Sequence, residues 1–288
     1  MSTTTSPLLR QLQALSVPVG HLAVWALGQH GYVLKGAGRV IVIDPYLTGE
    51  VEPFQARSTT GFKRQAPIVV APEALAGVDE VLISHDHSDH CDPGTLLPLL
   101  AASPQARVWA SYTSRDHLAR VGVDTTRITV PAVDRVIDLS PSLTLTALPS
   151  AHYGHEPDAD GNPAYLGFLL DIGGVCVYHS GDTILYDGLI ERLTPHAIDL
   201  ACLPINGRDG FRERQGLAGN LDFREAIELT AAIGARVLLP SHNDLFAGNR
   251  VNPAYLIDYA WTRLPGQRIH FLQAGELYYY VQEPAPGG

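Results

Sequence analysis

Short apolar runs separated by turn residues open the chain, and their lengths favour strands. His21-Leu-Ala-Val-Trp-Ala-Leu27 reads as a strand, Gly28 and Gly31 mark a turn, and Tyr32-Val-Leu-Lys35 reads as the next strand. Gly36-Ala-Gly38 is a hairpin turn into Arg39-Val-Ile-Val-Ile-Asp44. Three strands joined this tightly predict an antiparallel meander that ends at Asp44-Pro45. Before it, Leu8, Leu9, Leu12 and Leu15 recur at helical spacing, which predicts a short, frayed N-terminal helix.

After the meander, strand and helix patterns alternate. Val81 to Ile83 reads as a buried strand, and Pro93 to Ala102 as a helix with Asp92 as its cap and Pro93 in its first turn. Arg107 to Ala110 is a strand and Ser114 to Val121 a helix. Arg127 to Val130, Arg135 to Leu139 and Leu143 to Leu148 are short strands. Ala164 to Asp171 and Val175 to Tyr178 form a hairpin over Gly173-Gly174. A helix over Leu185 to Leu193, a strand over Ile198 to Leu203 and a helix over Phe223 to Ile233 capped by Asp222 follow. Then come a strand over Arg236 to Pro240, a helix over Pro253 to Leu264, and terminal strands over Arg268 to Gln273 and Leu277 to Val281. Two βα halves facing each other predict an α/β protein with a four-layer αββα sandwich. The expected organisation is a single domain over residues 1–288, with an N-terminal extension over 1–18 and a flexible tail over 283–288. Leu47 to Ala76, which holds Phe54, Phe62, Lys63 and Arg64, is long for a connection. It reads as a flap over a site or as a surface excursion.

The strand ends carry the chemistry. Directly after Val81-Leu-Ile83 stands Ser84-His85-Asp86-His87-Ser88-Asp89-His90. Imidazole nitrogens and carboxylate oxygens crowded on a short loop suit zinc, manganese or iron. Three later stretches follow the same rule of a His or Asp just past a strand: Ser150-Ala-His152-Tyr-Gly-His155, Tyr178-His-Ser-Gly-Asp182 and Pro240-Ser-His242-Asn-Asp244. Loop ligands gathered at one sheet edge make a metal centre.

Charge and cysteine content narrow the field. A net charge of −10 argues against nucleic-acid backbones and anionic membranes as partners. Cys91, Cys176 and Cys202 form no C-x-x-C pair and read as reduced thiols, Cys91 as a small packing residue beside the metal loop. No leader pattern stands in Met1 to Ser16 and no apolar run approaches a membrane span, so a cytoplasmic protein is expected. The aromatic run Tyr278-Tyr279-Tyr280 either packs its own sheet or faces a second copy in a homo-oligomer.

Taken together, the H-x-H-x-D-H stretch, the later histidine, the S-G-D and the final histidine resemble the metallo-β-lactamase superfamily of metallohydrolases. The resemblance implies the αββα sandwich of that type. It implies that His85, His87 and His152 hold one metal, that Asp89, His90 and His242 hold a second, and that Asp182 bridges them. Two divalent ions, manganese or zinc, are the implied cofactors. Such a pair lowers the pKa of bound water and yields a nucleophile without Ser or Cys. Asp86 is expected to orient a histidine, and His155 to stabilise an oxyanion. Asp89, or else a metal-bound water, is expected to deliver the proton to the leaving alkoxide. His179, beside the S-G-D, is a weaker candidate.

A second set of residues is similar to the L-ascorbate-6-phosphate lactonase branch. It comprises Trp25-Ala-Leu-Gly28, Asp44-Pro45, Asn206-Gly-Arg208-Asp209, Arg212 to Arg214, Gly216, Gly219-Asn220, Arg224-Glu-Ala226, Gly234-Ala235 and Pro240 to Phe246. The resemblance implies hydrolysis of a sugar-acid phosphate lactone, a small anionic substrate. Arg208, Arg212 and Arg214 form a basic spot in an acidic chain. It reads as a phosphate grip, with Arg208, Arg212 and Asn220 as substrate contacts, or as salt bridging with Asp209 and Glu213. A small-molecule phosphodiesterase using the same two metals is the alternative function. A non-enzymatic scaffold would require a missing ligand, and none is missing.

Overall fold

A computed structural model describes residues 6–49, 63–152, 154–214 and 218–283. The first strands are β1 (His21–Gly28), β2 (Gly31–Gly36), β3 (Arg39–Ile43), β4 (Glu80–Ile83), β5 (Arg107–Ala110), β6 (Ile128–Thr129) and β7 (Val136–Ser140). They are followed by β8 (Leu143–Pro149), β9 (Leu166–Ile172), β10 (Val175–His179), β11 (Leu200–Pro204), β12 (Val237–Ser241), β13 (Arg268–Ile269) and β14 (Leu277–Val281). They form two seven-stranded sheets, ordered β14-β1-β2-β3-β4-β5-β6 and β13-β12-β11-β10-β9-β8-β7. In each, antiparallel strands pass into parallel ones: β3 pairs parallel with β4, and β10 with β11.

Period-two alternation builds the layers. On β1, Leu22, Val24 and Ala26 face the second sheet, where they meet Phe168, Leu170, Val177 and Leu239 in one apolar core. Ala23, Trp25 and Leu27 face the other way, onto α1 (Pro7–Ala14), α2 (Pro93–Ala102) and α3 (Tyr112–Arg120). The second sheet is covered by α4 (Leu189–Leu193), α6 (Phe223–Ala232) and α7 (Pro253–Arg263), with α5 (Gly210–Glu213) in the loop before α6. The result is the four-layer αββα sandwich.

Several local expectations shift. The N-terminal helix is docked, not frayed. Leu8, Leu9 and Leu12 are buried, and Gln11 Oε1 accepts from Trp25 Nε1 at 2.9 Å. The helix expected from Leu185 begins only at Leu189, because Gly188 takes a left-handed conformation at its N-cap. The two terminal strands part company: β13 closes the second sheet, while β14 returns to the first beside β1. Tyr280 is thereby buried, donating to Asp199 Oδ1 at 2.7 Å, so this ring packs its own sheet. Residues 50–62 of the expected flap, Gly216 and residues 284–288 of the expected tail lie outside the described residues. No helix among the described residues is long and apolar enough to cross a membrane.

Phe168 is fully buried between the sheets. Phe168→Ala should cost about 3–5 kcal/mol of stability, read from the midpoint of urea unfolding. A loss below about 1 kcal/mol would contradict a continuous inter-sheet core.

Candidate metal centre

Parallel strands end together, and that sets the site. Asp44 follows β3, Ser84 to His90 follow β4, Asp182 follows β10 and His242 follows β12, all at the carboxyl edge of their strands. His152 follows β8. The two halves are tied at this edge, Leu166 N–H donating to Ser84 O at 2.9 Å and His242 N–H to Gln29 O at 2.7 Å. Gly181 allows the closest approach. A Cβ there would stand 2.3 Å from Leu166 O and 2.8 Å from Ser84 Cβ, and its φ is +59°.

One buried carboxylate orients the first loop. Asp44 accepts from Ser84 N–H at 2.7 Å, from Ser84 Oγ at 2.6 Å and from His90 Nδ1 at 2.9 Å. With its proton given to Asp44, Ser84 Oγ accepts from His85 Nδ1 at 2.9 Å. Both histidines therefore carry a proton on Nδ1 and turn Nε2 inward. Those two Nε2 atoms are buried without a hydrogen-bond partner. The orienting part expected of Asp86 belongs to Asp44.

The seven residues named from sequence as ligands come together in two groups. Donor atoms of His85, His87, His152 and Asp182 lie within 4.8 Å of one another, as do those of Asp89, His90 and His242. Asp182 touches both groups, with Oδ1 3.4 Å from His90 Nε2 and Oδ2 3.6 Å from His152 Nε2 and 3.2 Å from His242 Nε2. Orphaned imidazole nitrogens facing two carboxylates fit divalent ions, one per group.

The electrostatics split the histidines. Burial pushes His85 and His87 down, and His152 down to about 3, so these three stay neutral. Burial also opposes a charge on His90 and His242, but Asp182 and Asp89 outweigh it and lift them to about 9 and about 10. In turn, Asp89 is held below the usual carboxylate range despite burial, by His90 and His242. An Asp89 held ionised suits a ligand better than the proton donor expected of it.

Other expected residues stand apart from both groups. His155 is exposed, with Nδ1 3.1 Å from Ser150 O and its ring edge-on to Tyr186. A carbonyl only accepts, so neutral His155 keeps its proton on Nδ1 and offers a lone pair at Nε2. In that form it cannot donate to an oxyanion. Both nitrogens of His179 are spent, Nε2 on His30 O at 2.8 Å and Nδ1 on Gly181 N–H at 3.2 Å. The expected substrate contacts are engaged by the chain's own groups. Arg208 makes a two-pronged pair with Glu225 at 2.6 and 2.7 Å, and Arg212 binds Asp209 at 2.6 Å and Asn206 O at 3.0 Å. Asn220 is buried and its Nδ2 donates to Asn206 Oδ1 at 3.1 Å. This stretch is also partly helical, since Asp209 caps α5 through Phe211 N–H and Arg212 N–H.

Sequence reading missed two buried polar residues at the centre. Gln29 and His30 fill the turn between β1 and β2 and read there as a connection only. The bracketing glycines were the available signal. Asp44 also obeyed the rule of an acid just past a strand.

Known proteins match this arrangement. The beta-lactamase superfamily domain matches residues 39–243. The chain belongs to the metallo-β-lactamase superfamily of metal-dependent hydrolases. Within the superfamily it is 28% identical over 239 residues to a metal-dependent hydrolase of Pelotomaculum thermopropionicum, spanning 81% of this chain and 89% of that one. It is 26% identical over 274 residues to a probable L-ascorbate-6-phosphate lactonase of Escherichia coli, spanning 84% and 75%. The isothiocyanate hydrolase from Delia radicum gut bacteria shares the fold at a TM-score of 0.70 and 17% identity, over 91% of this chain and 100% of that one.

Two outcomes follow from the geometry. Asp44→Asn should weaken metal binding by about 10–100-fold in a chelator competition, since it removes the acceptor that fixes the histidines. The stability of the metal-free chain should peak near pH 6.5, the ordinary histidine value. Histidines lifted to about 9 and about 10 contribute stability that is full below 6.5 and lost as pH rises through those values. Those pushed down cost stability as pH falls below 6.5. Melting of the chelator-treated protein across pH checks this, and a monotonic profile would refute it.

Proposed function

We propose that this chain hydrolyses a small anionic lactone or ester, a sugar-acid phosphate lactone first among them, with two divalent ions, manganese or zinc. The observation that carries this reading is Asp182, one buried carboxylate within reach of both donor groups. In this reading His85, His87, His152 and Asp182 hold one ion, and Asp89, His90, His242 and Asp182 hold the other. Such a pair, when bound, supplies a water acidified to near neutral pH and a Lewis-acid contact for the acyl oxygen.

The chain's own residues do the rest. Hydrolysis adds water across the acyl C–O bond, and the leaving alkoxide takes up a proton. Asp44 keeps His85 and His90 in the ligating tautomer throughout. His155, exposed and held by Ser150 O, offers its Nε2 lone pair to a substrate hydroxyl or as a proton acceptor. The anionic end of the substrate falls to Arg208 and Arg212, on a segment whose Leu221 N–H donates to Thr183 O beside Asp182. An anion drawing on Arg208 takes the place of Glu225, so the grip is an exchange of one partner for another. Asn220 supports that loop through Asn206. Similarity to a lactonase over most of both chains supports the substrate class.

The test is a panel of sugar lactones, simple esters and a phosphodiester, assayed with manganese or zinc added and after chelation, beside elemental analysis of the purified protein. Lactone turnover should exceed phosphodiester turnover and vanish on chelation. His87→Ala should lose metal and at least about 10³-fold in kcat/KM while keeping its circular dichroism. Faster turnover of the phosphodiester would overturn the substrate class, and normal turnover by His87→Ala would overturn the mechanism.

A further inference from the structure

We infer that Gln29 completes the second ion's ligand set through its carboxamide oxygen, Oε1, which turns inward when the ion arrives. This inference rests on the two-ion reading above.

The geometry at Gln29 is that of a ligand. Its Nε2 lies 2.7 Å from Asp89 Oδ2 and 3.0 Å from His242 Nε2, and those two atoms are 3.6 Å apart. Donors about 2.1 Å from a common ion stand roughly 3.0 Å apart at right angles and roughly 3.4 Å apart in a tetrahedron. The end of the Gln29 side chain therefore fills a third corner beside two donors of the second group. Its chemistry at that corner is wrong for a cation, because an amide nitrogen points hydrogens outward and has no lone pair to give. Oε1, on the same carbon, is buried and has no hydrogen-bond partner. A half-turn about the last side-chain bond exchanges the two atoms. In the metal-free chain the N–H group bonds to Asp89. In the loaded chain the oxygen faces the ion, and the orphaned acceptor is satisfied.

The backbone is built to hold this side chain in place. Gln29 has φ +55° and His242 φ +60°, both left-handed in residues that bear a Cβ. Such a conformation is strained and persists where surrounding contacts enforce it. Here Gln29 N–H donates to Asp244 Oδ1 at 3.0 Å, and Gln29 O accepts from His242 N–H at 2.7 Å. The two strained residues thus lock each other and fix Gln29 against Asp89 and His242. A carboxamide oxygen is a hard donor, which suits manganese better than zinc.

The test is manganese binding by the chelated, refilled protein, followed by electron paramagnetic resonance of free manganese and by metal content after gel filtration. The wild-type chain should take two ions. Gln29→Leu, which keeps the bulk and removes the donor, should bind the first ion unchanged and the second at least tenfold more weakly. Gln29→Glu should recover the second ion. Gln29→Ala, read the same way, covers a leucine variant that fails to fold. Second-ion binding by Gln29→Leu or Gln29→Ala as tight as wild type or tighter would overturn the inference, as would failure of Gln29→Glu to restore it. A wild-type chain that takes a single ion sinks the two-ion reading with it. A wild-type chain that takes two, matched by Gln29→Leu, sinks this inference alone.

Discussion

A single buried carboxylate sets the geometry on which the centre depends. Asp44 sits just past β3, and the parallel pairing of β3 with β4 brings it beside the start of the ligand loop. With Ser84 it fixes the ring orientation and proton position of two histidines. A buried carboxylate is costly unless its oxygens are satisfied, and here three donors satisfy them. The cost is offset locally, and what remains is a pair of imidazole nitrogens facing inward. The same edge gathers the rest, because parallel strands release their chains on one side. Asp182 and His242 arrive by that rule from the second sheet.

The inter-sheet core keeps the two halves in register. Leu22, Val24, Phe168, Val177 and Leu239 are all fully buried in it, so sliding one sheet against the other would unpack each of them. The ligands come from both sheets, and their spacing is only as constant as that interface. Gly181 sharpens the point. The S-G-D loop lies against Ser84 with no space for a side chain, so Asp182 is held close to the first loop by contact.

The αββα architecture and the gathering of the candidate ligands were readable because both rest on local patterns. Strand runs such as His21 to Leu27 and Leu277 to Val281 show in the apolar spacing, and ligands show as His and Asp just past strand ends. Asp92 and Asp222 were readable as caps for the same reason, and both cap their helices. What the sequence hides is partnership across the chain. Arg208 reads as a phosphate grip or a partner of Asp209 and Glu213, yet Glu225 on α6 takes it, because capping by Asp222 turns Glu225 back toward the loop. Arg64, in the expected flap, donates to the carbonyls of Leu27, Tyr46, Thr48, Ala66 and Pro67. A guanidinium has five donors, and loop conformation alone decides whether carbonyls or a substrate receive them. Gln29 was hidden because a turn residue betrays nothing of what the turn faces.

Opposite charges balance one another at the centre. Asp89 and Asp182 bring two negative charges into a buried space, and raised affinities for protons at His90 and His242 supply two positive ones. Cations and protons then compete for the same lone pairs, so ion entry releases protons and replaces them in the same positions. His85, His87 and His152 remain neutral throughout, because burial disfavours a charge on each of them. The first group is thus ready to ligate at neutral pH, whereas the second has protons to give up. That asymmetry follows from Asp182 lying 3.2 Å from His242 but 3.6 Å from His152, with Asp89 a further 3.6 Å from His242.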